Sequence, residues 1–234
     1  MIDKSEARVR RMFGEIAGRY DLLNHLLSLN IDRYWRWQTV RQAPPGDGPI
    51  LDLCTGTGDL ALAYHRASRG QAQIVAADFC HPMLVLGEQK RARAGANGQV
   101  AFVEADAQRL PFPDDYFSMV CVAFGLRNVT DTDRGLREMT RVCRPGGRVV
   151  VLEFSMPRRQ PLRAIYRWYF RRVLPRIGQA LSRNRHDAYR YLPESVGEFP
   201  SGEALVERMR AAGLSNVACR PLTLGVATLY IGVK

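Results

Sequence analysis

The sequence predicts a doubly wound α/β fold, a mostly parallel sheet of seven strands, with helices before it and a helical insertion late in the chain. Three observations carry that expectation. From residue 50 onward, short apolar runs alternate with stretches of helical periodicity, as successive strand–helix units require. The first run, Ile50-Leu-Asp-Leu-Cys-Thr-Gly-Thr-Gly-Asp59, delivers an acid to a turn where two side chains are absent, so the backbone can approach a ligand closely. A second acid, Asp78, closes the next run, Ile74-Val-Ala-Ala77, twenty residues after Gly58. At that spacing an acid on the second strand meets a ribose hydroxyl pair.

Taken in order, residues 4–42 read as helical, with Val9, Met12, Phe13, Ile16, Tyr20, Leu23 and Leu27 recurring every three or four positions. Pro44-Pro45-Gly46-Asp-Gly48-Pro49 ends that region. Strands follow over 50–54, 74–78, 100–105, 118–124 and 148–154, with helices over 59–69, 82–95 and 132–143 between them. A helix over 201–212 and strands over 216–221 and 224–233 complete the chain. This divides a single domain into a helical cap (1–44), a cofactor-binding core (45–155), a basic amphipathic insertion (156–200) and a C-terminal helix with strands (201–234). Ligands of such sheets sit beyond the carboxyl ends of the strands, where strand order reverses. Asp52, Asp78, Asp106 and Phe124-Gly125 converge there.

Gly56-Thr-Gly58-Asp-Leu-Ala61 also satisfies the dinucleotide fingerprint, and three features shift the reading to S-adenosylmethionine. Asp52, four residues before Gly56, suits the amino group of a methionine moiety and would face like charge in a pyrophosphate site. Val100-Ala-Phe-Val-Glu-Ala-Asp106-Ala107 reads as a third strand ending in an acid, placed for an adenine amino group. Cys143-Arg-Pro145-Gly146-Gly147 reads as a helix end turning into a later strand. Together these resemble the class I methyltransferase fold, which is Rossmann-like. Each taken singly is ordinary turn or capping chemistry.

The chain has 234 residues and a net charge of +11. Residues 154–193 hold ten arginines, one acid and no lysine, so most of the excess sits in one segment. Trp168, Tyr166, Tyr169, Ile165 and Leu162 interleave with them. That composition suits a membrane interface or a lid over an apolar substrate, and also RNA or a plain solvated face. No apolar run reaches the length of a membrane span, and Met-Ile-Asp-Lys-Ser-Glu-Ala-Arg lacks a signal core, so a cytoplasmic protein is expected. Five cysteines without CxxC spacing read as free thiols. Four histidines without ligand spacing make a metal site unexpected.

Ala123-Phe124-Gly125-Leu126-Arg127-Asn128-Val129 follows the fourth strand, where a methyl acceptor would lie. With it, the chain resembles the ubiquinone/menaquinone biosynthesis C-methyltransferases over essentially its whole length. The resemblance rests on Phe13-x-x-Ile16-Ala17-x-x-Tyr20-Asp21-x-x-Asn24-x-x-Leu27-Ser28 and Asp32-Arg33-x-Trp35-Arg36. Further along it rests on Leu51-Asp52-x-x-x-Gly56-Thr57-Gly58-Asp59, Phe124-Gly125-Leu126-Arg127-Asn128, Leu152-Glu153-Phe154-Ser155 and the segment from Leu222 to Lys234. It implies S-adenosylmethionine-dependent methylation of a polyprenylated quinol, demethylmenaquinol or a demethylated ubiquinol precursor.

It further implies cofactor contacts at Thr57, Asp78, Asp106 and Ala107, beside the Asp52, Gly56 and Gly58 already read from the first turn, and at Ala123, which stands where relatives often have serine. The catalytic expectation is Arg127 stabilising a developing phenolate and Asn128 orienting the ring oxygen. Tyr20 and Asp21 would close from the N-terminal helix. His25 is a lesser candidate base, with His186 and Tyr189 behind it. A guanidinium is too weak a base to take the proton, so water or another group does so. The bilayer-resident substrate implies peripheral contact with anionic membrane, through an arginine-rich helix over 158–177. No nucleic-acid partner is expected, and a homodimer is admitted. The competing readings are another lipophilic acceptor, an RNA methyltransferase, a non-enzymatic subunit of a quinone-synthesis assembly, and a nicotinamide dehydrogenase.

Overall fold

A computed structural model describes residues 4–157, 160–169, 172 and 188–234. Seven strands form one sheet in the order β3-β2-β1-β4-β5-β7-β6. They are β1 (Ile50–Leu53), β2 (Ile74–Asp78), β3 (Val100–Glu104), β4 (Phe117–Ala123), β5 (Cys143–Phe154), β6 (Ser215–Leu222) and β7 (Ala227–Val233). The first five run parallel, and β7 lies antiparallel to both β5 and β6. The predicted seven-stranded, mostly parallel sheet is the one observed.

Burial follows the strand pleat. Leu51, Leu53, Val120, Val122, Val149 and Val151 enter one core layer, beneath α5 (Thr132–Val142) and a helix over Glu203–Ala211. Their neighbours Ile50, Met119, Cys121, Val150 and Leu152 enter the other, with Trp35, Leu60, Ala61 and Tyr64. Successive residues on a strand point to opposite faces, so a sheet covered on both sides reads as unbroken apolar sequence. The helices of this second layer are α2 (Ile31–Gln42) and α3 (Asp59–Ala67). Against β2 and β3 lies α4 (His81–Arg93).

The structure departs from the sequence expectation at three joints. The helical N-terminus is two helices, α1 (Glu6–Leu27) and α2, because Leu29 and Asn30 take left-handed conformations. The Ser28 hydroxyl supports that break by donating to Asp32 Oδ1 at 2.6 Å. Next, Pro145-Gly146-Gly147 is no turn between helix and strand. Pairing already starts at Cys143, and the glycines are absorbed as an irregularity where register shifts between Phe117 and Met119. Last, Thr223–Gly225 forms a tight turn between β6 and β7. Trp35 Nε1 donates to Thr223 Oγ1 at 2.7 Å and ties α2 to that turn.

In the insertion the described helices are α6 (Leu162–Trp168) and α7 (Ala188–Glu198), with α8 (Glu203–Ala211) after them. Of the expected helix over 158–177, the part Leu162–Trp168 is helical, while 158–159, 170–171 and 173–177 lie outside the described residues, as does His186.

Gly58 caps α3 at φ +84°, and a Cβ there would lie 2.6 Å from Phe102 Cζ. Gly98 has a similar φ, +89°, with nothing near. Alanine at Gly98 then meets backbone strain alone, on the order of 1 kcal/mol. Alanine at Gly58 adds overlap with a packed ring, for a total of about 3 kcal/mol. Urea unfolding of the two variants should show that gap.

Candidate active site

Strand order reverses between β1 and β4, and the loops leaving those two strands frame a cavity of about 920 Å³ including its mouth. Glu6, Asp52, Asp59, Asp78 and Asp106 line it, and three of these stand at or just after strand ends. Asp52, buried on β1, accepts from Thr55 Oγ1 at 2.5 Å and from the Ala61 amide at 3.0 Å, with Cys121 Sγ at 3.7 Å. Burial pushes its carboxyl up to about 7, against the pull of those donors. Asp78 accepts the Gly56 amide on one oxygen and the Cys80 amide on the other, both at 2.8 Å. Burial raises its carboxyl too, and the amides oppose the rise. Asp106 accepts the Gln108 amide at 2.9 Å.

Gly56 (φ +58°), Thr57, Ala107, Ala123 and Asn128 complete this side of the cavity. A Cβ on Gly56 would approach only Tyr20, at 3.7 Å, so the turn leaves a cradle open beneath that ring. Two expected contacts are different in the structure. Gly58 does not line the cavity, because its bare Cα is used for packing on Phe102. The Thr57 hydroxyl is turned to Asp21 Oδ1, 2.6 Å away on α1. Lys90 Nζ joins them, 2.9 Å from Asp21, 3.0 Å from Thr57 and paired with Asp59. This clasp lays α1 across the cavity, where Val9, Phe13 and Tyr20 face inward.

Beside it opens a second cavity of about 1550 Å³ including its open mouth, lined mostly by apolar and aromatic side chains, among them Met12, Ile16, Trp35, Phe154 and Tyr169. Phe13, Tyr20, Arg36 and Phe124 line both cavities. Arg127 lies in the wall of the second one, fully buried. Its Nη1 donates to Glu153 Oε1 at 2.8 Å and to the Phe124 carbonyl, while its guanidinium lies 5.3 Å from the Phe154 ring centroid. Its Nε has no hydrogen-bond partner. Burial raises the Glu153 carboxyl and Arg127 pulls it back.

The expected catalytic residues therefore separate. Arg127 faces the apolar cavity, Asn128 faces the polar one with a buried Oδ1 lacking a partner, and Tyr20 faces both. Asn128, expected to orient a ring oxygen, lines the polar cavity and not the apolar one that Arg127 lines. Desolvation raises the Tyr20 phenol, so it stays protonated at neutral pH. His25 lines neither cavity, and its Nδ1 lies 2.8 Å from Asp32 Oδ2.

Two site residues received no role from the sequence. Glu153 is an acid inside the apolar run of β5, a visible signal for a buried partner. Arg36 bonds Asp32 at 2.5 Å, lies 3.6 Å from Asp59 and 5.7 Å from the Phe124 ring centroid, and stands in the wall between the cavities. Among the described residues, His25, Asp32 and Asp59 could gather round a cation, but Arg36 and Lys90 already neutralise the two acids.

A sheet of this order, with carboxylates gathered at its switch point, belongs to the class I, Rossmann-like methyltransferases. Solved structures agree on the fold. A SAM-dependent methyltransferase from Aquifex aeolicus superposes with a TM-score of 0.61 at 14% identity, over 84% of this chain and 88% of that one. Phosphoethanolamine N-methyltransferase 2 of Haemonchus contortus, solved with S-adenosyl-L-methionine, superposes with a TM-score of 0.62 at 13% identity, over 85% of this chain and 52% of that one.

The chain belongs to the ubiE/COQ5 methyltransferase family, whose pattern it matches over residues 1–234. It is 46% identical over 235 residues to the ubiquinone/menaquinone biosynthesis C-methyltransferase UbiE of Geobacter sulfurreducens, covering all of this chain and 91% of that protein. It is 50% identical over 222 residues to the demethylmenaquinone methyltransferase of Thermus thermophilus, covering 94% and 99%.

The Asp52 carboxyl holds its proton more tightly folded than unfolded. The stability this gives is complete below about pH 4 and is lost as pH rises through about 7, with a slope of at most about 1.4 kcal/mol per pH unit. Asp52→Asn removes that loss. Its stability relative to the wild type, read from urea unfolding of the ligand-free protein, should therefore rise between pH 4 and 7. A difference that does not vary with pH would contradict the assignment.

Proposed function

We propose that this protein transfers a methyl group from S-adenosylmethionine to a ring carbon of demethylmenaquinol in respiratory quinone biosynthesis. The observation that carries this reading is the pair of adjoining cavities, one lined by carboxylates and one by aromatic side chains, with Phe13, Tyr20, Arg36 and Phe124 common to both. The names of the relatives from Geobacter and Thermus point to the same chemistry.

The first cavity has the donor set for the cofactor. Asp78 and Asp106 would take the ribose and adenine ends, Asp52 and the Gly56-Thr57 turn the methionine end, and Ala107 and Ala123 would floor the site. Asn128 Oδ1, buried without a partner, is an acceptor for a polar hydrogen of the cofactor. Bound there, S-adenosylmethionine supplies a methyl group already activated on a sulfonium.

The second cavity holds the acceptor ring against Phe124 and Phe154, and its prenyl tail runs toward the exposed Leu29, Ile165 and Trp168. Arg127 sits in the wall to receive the ring oxygen as the neighbouring carbon becomes nucleophilic, with Glu153 and the Phe124 carbonyl fixing its guanidinium. Tyr20, at the junction, orients the ring toward the cofactor and excludes water. The methyl–sulfur bond would break as the new carbon–carbon bond forms; the hydroxyl proton passes to water, the ring carbon then gives up its own proton as aromaticity returns, and the ring oxygen takes a proton back, so one proton is released overall.

The deciding assay follows label from S-adenosylmethionine into 2-prenyl-1,4-naphthoquinol and, separately, into a demethylated benzoquinol precursor. Product from the naphthoquinol is expected. Arg127→Gln, placed with Glu153→Gln so that no lone charge is buried, should lower kcat by about two orders of magnitude while cofactor binding persists. Labelled product from neither quinol would overturn the reading.

Membrane contact belongs to the same proposal. Leu29, 73% exposed, and Trp168, 60% exposed, line the acceptor cavity, and Leu224, 79% exposed, follows its lining residue Thr223. Among the described residues no helix is long and apolar enough to cross a membrane. Co-sedimentation should rise with the anionic lipid content of vesicles, weaken with salt, and fall in a Leu29→Glu, Trp168→Glu double variant.

A further inference from the structure

Tyr191 lies on α7, within the insertion, and no motif of the sequence singles it out. It is 3% exposed, it lines the apolar cavity, and its hydroxyl has no hydrogen-bond partner. A buried hydroxyl left unpaired costs about 1–3 kcal/mol, and phenylalanine would fill the same space without that cost. α7 packs against the turn Leu126–Asn128, which carries Arg127, and Tyr191 feels the charges of Arg127 and Glu153. Arg127 Nε is also buried and also without a partner. Two donors thus stand unsatisfied in the lining of one mostly apolar cavity.

We propose that Tyr191 is the second donor to the acceptor's ring oxygen, working with Arg127 as a two-pronged receptor for the phenolate. The inference rests on the reading of this cavity as the acceptor site. Burial keeps the Tyr191 phenol protonated, so at neutral pH it donates a hydrogen bond and takes no proton. A neutral quinol oxygen accepts weakly from the two groups. The same oxygen bearing negative charge accepts strongly, and that difference lowers the pKa of the bound quinol and favours attack by the adjacent carbon.

The test compares wild type with Tyr191→Phe, using 4-methoxy-1-naphthol as a probe whose ultraviolet absorption reports ionisation. In the wild type the bound probe should ionise at lower pH than the free one. In Tyr191→Phe its ionisation, and the acid limb of the kcat profile with 2-prenyl-1,4-naphthoquinol, should move up by about one pH unit. kcat at pH 7 should fall about tenfold, cofactor affinity should hold, and the melting temperature should stay level or rise. A variant that melts lower and loses cofactor affinity would mark Tyr191 as structural. Unchanged kcat and probe ionisation, in an enzyme that turns over, would overturn the Tyr191 assignment and leave the proposed reaction standing. A wild type that neither binds the probe nor methylates any quinol would remove both.

Discussion

The carboxylate of Asp78 holds the carboxyl end of the sheet together. One oxygen takes the amide of Gly56 and the other that of Cys80, so a single group pins the loop after β1 to the loop after β2. Each side of the bargain removes the other's desolvation cost. Amides in a left-handed turn lack a ladder partner, and a buried carboxylate needs donors. The position of Gly56 then sets Thr57, which Asp21 grips from α1. Cys80 opens α4, whose Met83 packs beneath α1 and whose Lys90 completes the clasp. The roof of the site is placed by a side chain buried in its floor.

That roof serves two rooms. Phe13 and Tyr20 stand seven residues apart on one face of α1, with ring centroids 5.9 Å apart in an edge-on contact, and both line both cavities. A shift of α1 that widens one cavity must therefore reshape the other. The clasp resisting that shift is a cluster of half-buried ions and not a single surface pair, which alone would contribute about 0–1 kcal/mol. Arg36 extends the cluster from α2 through Asp32 and Asp59 and brings its guanidinium over Phe124, so the partition between the rooms is fixed from both sides.

The strands and their terminal acids were legible because both signals are local. An apolar run followed by Asp52, Asp78 or Asp106 places a carboxylate at a strand end whatever the rest of the chain does. What escaped is tertiary. Nothing near Thr57 announces that its hydroxyl belongs to Asp21, thirty-six residues earlier. Gly58 reads as a ligand glycine until Phe102, on a different strand, is seen to fill the space a Cβ would need. Asn128 follows Arg127 directly, yet the short helical turn between Leu126 and Asn128 puts the two in the linings of different cavities. Glu153 was readable as an anomaly in β5, and only the fold names its partner. The break at Leu29-Asn30 needs two left-handed residues in succession, which helical periodicity does not reveal.

The pairing of Arg127 changes what it can do. An unpaired guanidinium in this wall would carry a large desolvation cost and project a full charge through an apolar cavity. Paired with Glu153, it presents a dipole whose field falls off steeply, so an uncharged aromatic ring can enter without displacing counterions or water. The gain in directional hydrogen bonding remains, because the Phe124 carbonyl and the Phe154 ring hold the guanidinium plane. Such a group discriminates little between apolar ligands at long range and strongly between a neutral and an ionised oxygen at contact. On the proposed reaction that is the required behaviour, since the charge to be stabilised exists only on the way to the product. Glu153 belongs to the chemistry for the same reason: without it the site would hold a stronger charge and select less for the moment at which charge appears.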